Sequence, residues 1–242
     1  MTTAQLAVVG LAVFAAALVQ VLSGFGFALL SVPLMTLAVP TKEAVVVSTL
    51  LGTGVTTWQA WHGRRSVDRV VAKRMVLAAY LGMPLGLWAF IAVSEDTLRF
   101  ALGLSVLVAV VLLVTRVDLR QAGPSLDVGA GFVSGILNTS LSTNGPPLVF
   151  VLQARGFEPD PFRSTINTVF ACSNVVGISL FLAAGRVDRD GVIAAAIAMP
   201  ALLLGQLCGY PLRKHVQGER FRWLVLGLLV LAACSAIINA VI

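Results

Sequence analysis

Apolar stretches follow one another along the whole 242-residue chain, and the connectors between them are short. Most of these stretches approach the ~20 residues that an α-helix needs to cross a bilayer. Charged residues make up 12% of the chain, against roughly 25% in soluble domains, and 58% of the residues are hydrophobic. Because no segment is left over for a soluble domain, the sequence predicts an all-α polytopic membrane protein and excludes a soluble enzyme.

Two of the apolar stretches are interrupted at their centres. Residues 20–35 have the sequence QVLSGFGFALLSVPLM, and residues 138–152 have the sequence NTSLSTNGPPLVFVL. Glycine, proline and small polar residues at such a place break a membrane helix and leave backbone N–H groups without helical partners. Matched interruptions in two halves of a membrane protein point to a transporter's binding site. We therefore predict that each stretch forms a broken, re-entrant hairpin and that the two breaks meet at mid-depth.

The two halves also match outside these breaks. GRRSVD at residues 63–68 resembles GRVDRD at residues 185–190, about 123 residues further on. Glycines recur at the same offset: Gly82 with Gly205, and Gly86 with Gly209. Such self-similarity predicts a tandem duplication, with one repeat at residues 1–122 and another at 123–242. The predicted elements are a hairpin at 5–39 and helices at 44–61, 75–93 and 98–114, then a hairpin at 128–154 and helices at 166–184, 192–212 and 221–242.

The positive charges predict how the repeats are oriented. The connector at 64–74 carries five Lys and Arg residues, whereas its counterpart at 186–190 has two Arg and two Asp. Lys and Arg concentrate in cytoplasmic loops, so the two repeats are expected to be inverted relative to each other. With one hairpin and three full helices per repeat, 13 of the 17 Lys and Arg residues are expected in the cytoplasm and both termini outside. Eight simple crossings would divide the same charges 8 to 9.

The two breaks are suited to binding an anion. A helix N-terminus presents unpaired N–H groups and carries about half a positive charge from its dipole. Phe27 is expected to start one short helix, and proline after Asn144 and Gly145 marks the start of another. The candidate site combines the break residues with nearby amides: Gln20, Ser23, Gly24, Phe25, Gly26, Asn138, Ser142, Thr143, Asn144, Gly145, Asn167 and Asn174.

Ionisable residues avoid the middle of the apolar stretches. All eleven Asp and Glu residues and both His residues fall in loops or at segment ends. Without a carboxylate at mid-depth, a cation transporter or proton relay is disfavoured, and no metal or cofactor is expected. The three cysteines lie within apolar stretches and are expected to pack as small hydrophobes. The expected partners are a small anionic substrate and the lipid bilayer, and nucleic acid is not expected despite the net charge of +6.

At the two breaks the chain resembles the TauE/SafE sulfite exporter family. The resemblance rests on SGFGFALLSVPLM at Ser23–Met35 and NGPPLV at Asn144–Val149, and the duplicated pattern extends it over nearly the whole chain. Many family members carry a run of glycines before the Val-Pro pair, which Phe25 and Phe27 interrupt here. The resemblance implies export of small sulfur-containing anions, such as sulfite, thiosulfate and organosulfonates, across the inner membrane of a prokaryote.

Several alternatives remain open at this point. A passive, gated anion channel or a transporter of carboxylates or other small anions would fit the same neutral site. An intramembrane serine protease would need a histidine base on a helix, and both histidines lie in loops. A scaffold subunit for another membrane complex is disfavoured by the self-contained duplication. The sequence leaves open whether the chain acts as a monomer or a homodimer.

Overall fold

The computed structural model describes residues 2–114, 120, 123–212 and positions 227, 230, 233, 234, 237 and 238. The described part contains nine α-helices: α1 Thr3–Ser23, α2 Phe27–Met35, α3 Thr41–Gly63, α4 Arg69–Ala92, α5 Glu95–Val114, α6 Pro124–Leu141, α7 Gly145–Ala154, α8 Pro159–Ala183 and α9 Arg189–Leu212. Four of them, α1, α4, α8 and α9, are long and apolar enough to cross a membrane. The predicted all-α polytopic membrane fold is therefore confirmed. Of the predicted helix at 221–242, all but those last six positions lies outside the described residues.

Capping residues start two helices earlier than the apolar pattern predicts. The carboxylate of Asp68 accepts hydrogen bonds from the N–H groups of Val70 and Val71 at 3.1 and 3.0 Å, so α4 begins at Arg69 rather than at 75. Pro159 opens α8, seven residues before the predicted start at 166, because its fixed φ and missing N–H suit a first helical turn. Caps act on backbone groups and so extend helices into polar sequence.

Each predicted hairpin consists of a long helix and a short helix that packs back against it, α1 with α2 and α6 with α7. In the first turn Gly24 has a φ of 88° and Gly26 a φ of 95°, values that glycine adopts without steric cost. In the second turn the left-handed position is taken by Ser142, with a φ of 58°. Ser142 is the one non-glycine residue with positive φ in the described part of the chain.

The open ends of the two hairpins are joined by different contacts. In the first hairpin, Nε2 of Gln5 donates to the carbonyl oxygen of Ala38 at 2.9 Å. In the second, Nη1 of Arg155 lies 2.9 and 3.1 Å from the two carboxylate oxygens of Asp127. Nη1 of Arg74 lies 3.5 Å from Oδ2 of the same carboxylate. Asp127 is at a helix start, as expected for an acidic residue, but it is fully buried. An ion pair thus ties the second hairpin to α4.

The first helix of each half packs against the fourth helix of the other half. α1 lies against α9, α6 lies against α4, and α3 packs against α8 between them. Glycines allow the close approach: a side chain at Gly135 would collide with the backbone of Ala79, and a Cβ at Gly205 would lie 2.6 Å from the carbonyl oxygen of Phe14. The pairing is reciprocal between the halves. The inverted repeat and its boundaries stay predictions.

Candidate functional site

A small cavity of about 30 Å³ lies where the two hairpin turns meet the centres of α3 and α8. Ser48, Gly52 and Thr56 line it from the middle of the 23-residue helix α3. Phe170 and Asn174 line it from the middle of the 25-residue helix α8. The cavity, hereafter the central cavity, is therefore at mid-length of the bundle.

The start of α2 forms one wall of the central cavity. The carbonyl oxygen of Gly26 accepts the N–H of Leu30 at 3.1 Å, which is the first hydrogen bond of the helix. The N–H groups of Phe27, Ala28 and Leu29 come before it and have no intrahelical partner. No side chain makes a capping hydrogen bond at the start of α2, and Phe27, Ala28 and Leu29 all line the cavity. The positive end of the α2 dipole thus lies at the cavity.

The start of α7 forms the opposite wall and offers a different donor. Its first turn contains Pro146 and Pro147, which have no N–H, so fewer main-chain donors are available than in α2. The side-chain amide of Asn144 supplies a hydrogen-bond donor at this end of α7, where the two prolines supply none. Its Nδ2 is buried without a hydrogen-bond partner, and the residue is 7% exposed. A buried donor left unpaired costs about 1–3 kcal/mol, which an acceptor bound in the cavity would relieve.

Hydroxyl groups hold the second turn in its strained conformation. Oγ of Ser142 lies 3.0 Å from Oγ1 of Thr49 on α3, and Oγ of Ser134 donates to the carbonyl oxygen of Asn144 at 2.9 Å. A left-handed conformation costs a non-glycine residue about 1–2 kcal/mol. Such strain persists where surrounding contacts hold it, and it clusters at binding sites.

Eight of the twelve predicted site residues line the central cavity: Gln20, Phe25, Gly26, Ser142, Thr143, Asn144, Gly145 and Asn174. Ser23 does not, because its hydroxyl lies 2.8 Å from the carbonyl oxygen of Val19 and serves the end of α1. Asn138 stands behind the wall, where its Nδ2 donates to Oδ1 of Asn174 at 2.8 Å. No ionisable side chain is among the residues that line this cavity.

The two remaining predicted residues, Gly24 and Asn167, line a second cavity of about 290 Å³, which we term the vestibule. It lies where α3 ends and α8 begins, and its wall is polar, with Gln59, His62, Asp160 and Arg163 among the lining residues. The aliphatic part of Arg163 packs on the first turn, since a Cβ at Gly24 would lie 2.7 Å from its Cγ. Gln20 lines both the vestibule and the central cavity.

Several residues of the central cavity were not predicted. Thr56 and Gly52 repeat with Ser48 at intervals of four on one face of α3, and this stripe of small residues was a usable signal. Phe170 precedes the predicted Asn174 by one turn of α8 in the same way. Ala28 and Leu29 contribute through their backbone, which has no side-chain signature.

Together these features define a polytopic helical membrane protein with a neutral, donor-rich cavity between two broken hairpins, the class that includes small-solute transporters. In the part of the chain that the structure describes, no cluster of His, Cys, Asp and Glu is arranged to hold a metal ion. The chain belongs to the sulfite exporter TauE/SafE family, whose model matches residues 9–236. The predicted family resemblance is thereby confirmed, and the family consists of membrane transporters.

Two curated bacterial proteins are similar to parts of the chain. "Probable inner membrane transporter protein TsaS" of Comamonas testosteroni is 28% identical over 108 residues, 44% of this chain and 45% of the relative. "Probable sulfite/organosulfonate exporter TauE" of Cupriavidus necator is 25% identical over 122 residues, 50% of this chain and 48% of the relative. The chain thus spans about half the length of these curated relatives. No solved structure matches it.

Proposed function

We propose that the protein is a secondary transporter of the exporter type for a small sulfur-containing anion, such as sulfite, thiosulfate or an organosulfonate. The observation that carries this proposal is the buried, unpartnered Nδ2 of Asn144 at a neutral cavity that also meets the start of α2. The names of the family and of the curated relatives support the same substrate class.

The chemistry of the central cavity favours an anion over a cation. Up to three main-chain N–H groups at the start of α2 and the amide of Asn144 can donate hydrogen bonds to oxyanion oxygens. The α2 dipole adds about half a positive charge at the same end. A cation would meet this positive end without any carboxylate in the lining to offset it. Donors fixed by the fold would replace the water that the anion loses on entry.

Aromatic rings complete the lining and suit a substrate that carries carbon as well as oxygen. Phe25, Phe27 and Phe170 line the central cavity beside the donor groups. Their rings keep water away from the bound anion, which strengthens its hydrogen bonds in the low local dielectric. The same rings would contact the methylene groups of a small organosulfonate.

In this proposal the two repeats have opposite orientations in the inner membrane, and both termini lie outside. The Arg-rich connector between α3 and α4 then faces the cytoplasm, in line with the positive-inside rule. Movement of one repeat against the other would expose the central cavity to each side in turn. A homodimer would leave the cavity intact, because every lining residue comes from one chain.

Thermal unfolding of the detergent-purified protein tests the substrate and the site together. The panel consists of sulfite, thiosulfate, sulfate, sulfoacetate, acetate, chloride and sodium. A ligand at a hundred times its Kd stabilises by about 2.7 kcal/mol, which is roughly 5–10 °C for a chain of this size. We expect a shift with one sulfur anion, its loss in Asn144→Ala, and its retention in Gln153→Ala, a control on the exposed side of α7.

Two results would contradict the proposal in different ways. A shift with acetate alone would keep the cavity and refute the substrate class. An equal shift with a sulfur anion in the parent protein and in Asn144→Ala would keep the substrate class and refute the site.

A passive anion pathway is the second candidate, favoured by the absence of ionisable side chains from the lining of the central cavity. Without such a group, no residue at the site can couple the anion to a proton. Flux of labelled thiosulfate, which stays fully ionised near neutral pH, into liposomes separates the two functions. A passive pathway follows the thiosulfate gradient and does not respond to an imposed pH step, whereas a proton-coupled transporter responds to it.

A further inference from the structure

The central cavity adjoins an open polar space on one side. Gln20, which is 1% exposed, lines both the central cavity and the vestibule, so only its side chain and its neighbours separate the two. The vestibule also includes Gly63 and Ser66, which belong to the end of α3 and the connector that follows. It therefore lies at the end of the bundle that carries the Arg-rich connector.

Toward the other end of the bundle the path is filled by two aromatic rings. Along α8, Phe181 lies two turns beyond the cavity residue Asn174, about 10 Å along the helix axis. Its ring packs against that of Phe90 on α4, with centroids 4.9 Å apart and planes inclined at 52°. Phe181 is 0% exposed and Phe90 is 1% exposed. Nζ of Lys42 lies 5.9 Å from the centroid of the Phe90 ring.

The ring pair is at the end of the bundle opposite the vestibule. α4 begins just after Ser66, which lines the vestibule, and ends two residues after Phe90. α8 begins with the vestibule residue Asp160 in its first turn and ends two residues after Phe181. Both helices thus run from the open end of the bundle to the closed end.

The internal duplication makes the two ends directly comparable. Phe181 and Gln59 each lie four residues before the matched glycines, Gly185 and Gly63, so they occupy corresponding places, and Gln59 lines the vestibule. Lys42 corresponds to Arg163, because each follows a proline at the start of its helix. Equivalent places therefore hold an amide and an open space at one end, and a phenyl ring in a filled core at the other.

We propose that Phe90 and Phe181 form the gate on the closed side of the central cavity, and that in this conformation the substrate enters from the vestibule past Gln20. The inference rests on the proposed function of the central cavity as the transport site. An apolar constriction blocks ions because neither water nor an ion is stable between buried rings. Passage to the other side requires α4 and α8 to separate at this pair.

Accessibility of one engineered cysteine tests the gate. In a variant with the three native cysteines replaced by serine, Ser48→Cys places a thiol in the lining of the central cavity. An anionic, membrane-impermeant methanethiosulfonate reagent is added to either face of sealed vesicles. The exposed positions Ser66→Cys and Ser94→Cys, at opposite ends of α4, identify which face the reagent reaches.

We expect Ser48→Cys to react at least about tenfold faster from the Ser66 face, since a closed gate is open in at most ~10% of molecules. Phe181→Ala should bring the two rates together. Met75→Ala, on α4, also removes a fully buried side chain but lies in a different core cluster, so it should leave the ratio unchanged. If Phe181→Ala does not fold, Phe181→Leu keeps most of the apolar volume and should give a smaller change in the same direction.

Equal rates from both faces in the parent would overturn the proposal, and so would an unchanged ratio in a folded Phe181 variant. The reaction needs no substrate, so the gate can fail while the transport site stands. Protection of Ser48→Cys by sulfoacetate, which does not react with the reagent, tests the transport site separately.

Discussion

The buried ion pair at the base of the second hairpin predicts a large loss of stability when one charge is removed. Asp127→Asn keeps the shape of the side chain but removes the negative charge that lies 2.9 Å from the guanidinium of Arg155, which is 12% exposed. Removing one partner of a buried pair costs about 3–5 kcal/mol. Arg74 is 40% exposed and can turn to water, so the lower end of this range applies. About 3 kcal/mol corresponds to a Tm roughly 6–12 °C lower in a chain of this size.

Thermal unfolding of the purified variants in detergent measures this effect, and a double variant provides the control. Asp127→Leu combined with Arg155→Met removes both charges and leaves neither one buried alone. Replacing a buried pair by apolar residues is often neutral or stabilising, so the double variant should unfold at a higher temperature than Asp127→Asn. A Tm for Asp127→Asn within about 2 °C of the parent would refute the reasoning.

Two further predictions concern packing and pH. Gly135→Ala should destabilise the protein by about 1–3 kcal/mol, because its Cβ would overlap the backbone of Ala79. Gly129→Ala, on the same helix, meets nothing within 4 Å and should be neutral. Equal melting temperatures of the two variants would contradict this prediction. Burial, and then the negative charge of Asp188, raises the pKa of the Glu43 carboxyl above 4.5. Its ionised form therefore destabilises the folded protein, an effect absent below pH 4.5 that appears as pH rises through the raised pKa. Melting curves should show Glu43→Gln more stable than the parent at pH 8 and equal to it at pH 4, and a difference that does not vary with pH would be the contrary result.

Much of the fold could be predicted because breaks in a membrane helix require particular residues. Gly24 and Gly26 adopt positive φ, and the prolines after Gly145 suit a helix start, so both turns lie where the sequence places them. The helix starts at Arg69 and Pro159 depend on local caps and were placed too late. Hydropathy identifies residues suited to lipid, so it does not detect a polar first turn that extends the helix beyond the apolar stretch.

The site was less predictable because three of its features depend on tertiary packing. The left-handed Ser142 is held by a hydroxyl on α3, a contact between residues 93 positions apart. The burial of Asp127 follows from the approach of α4 and α7 and has no signature in its neighbours. The closure of one end by Phe90 and Phe181 requires two distant helices to meet. The amides and small residues of the cavity were predictable because polar groups are rare in apolar stretches.

The exchange of helices between the halves has a consequence for how the chain is made. α1 is synthesised well before its partner α9, which begins at Arg189. At 5–20 residues per second, roughly 10–40 s pass before the two can meet. During this time the surface of α1 that will cover Gly205 has lipid, translocon or chaperone in place of α9. Neither half can complete its core alone, so the bundle can assemble only after α9 has been made, and a chain that stops before α9 lacks the helix against which α1 packs.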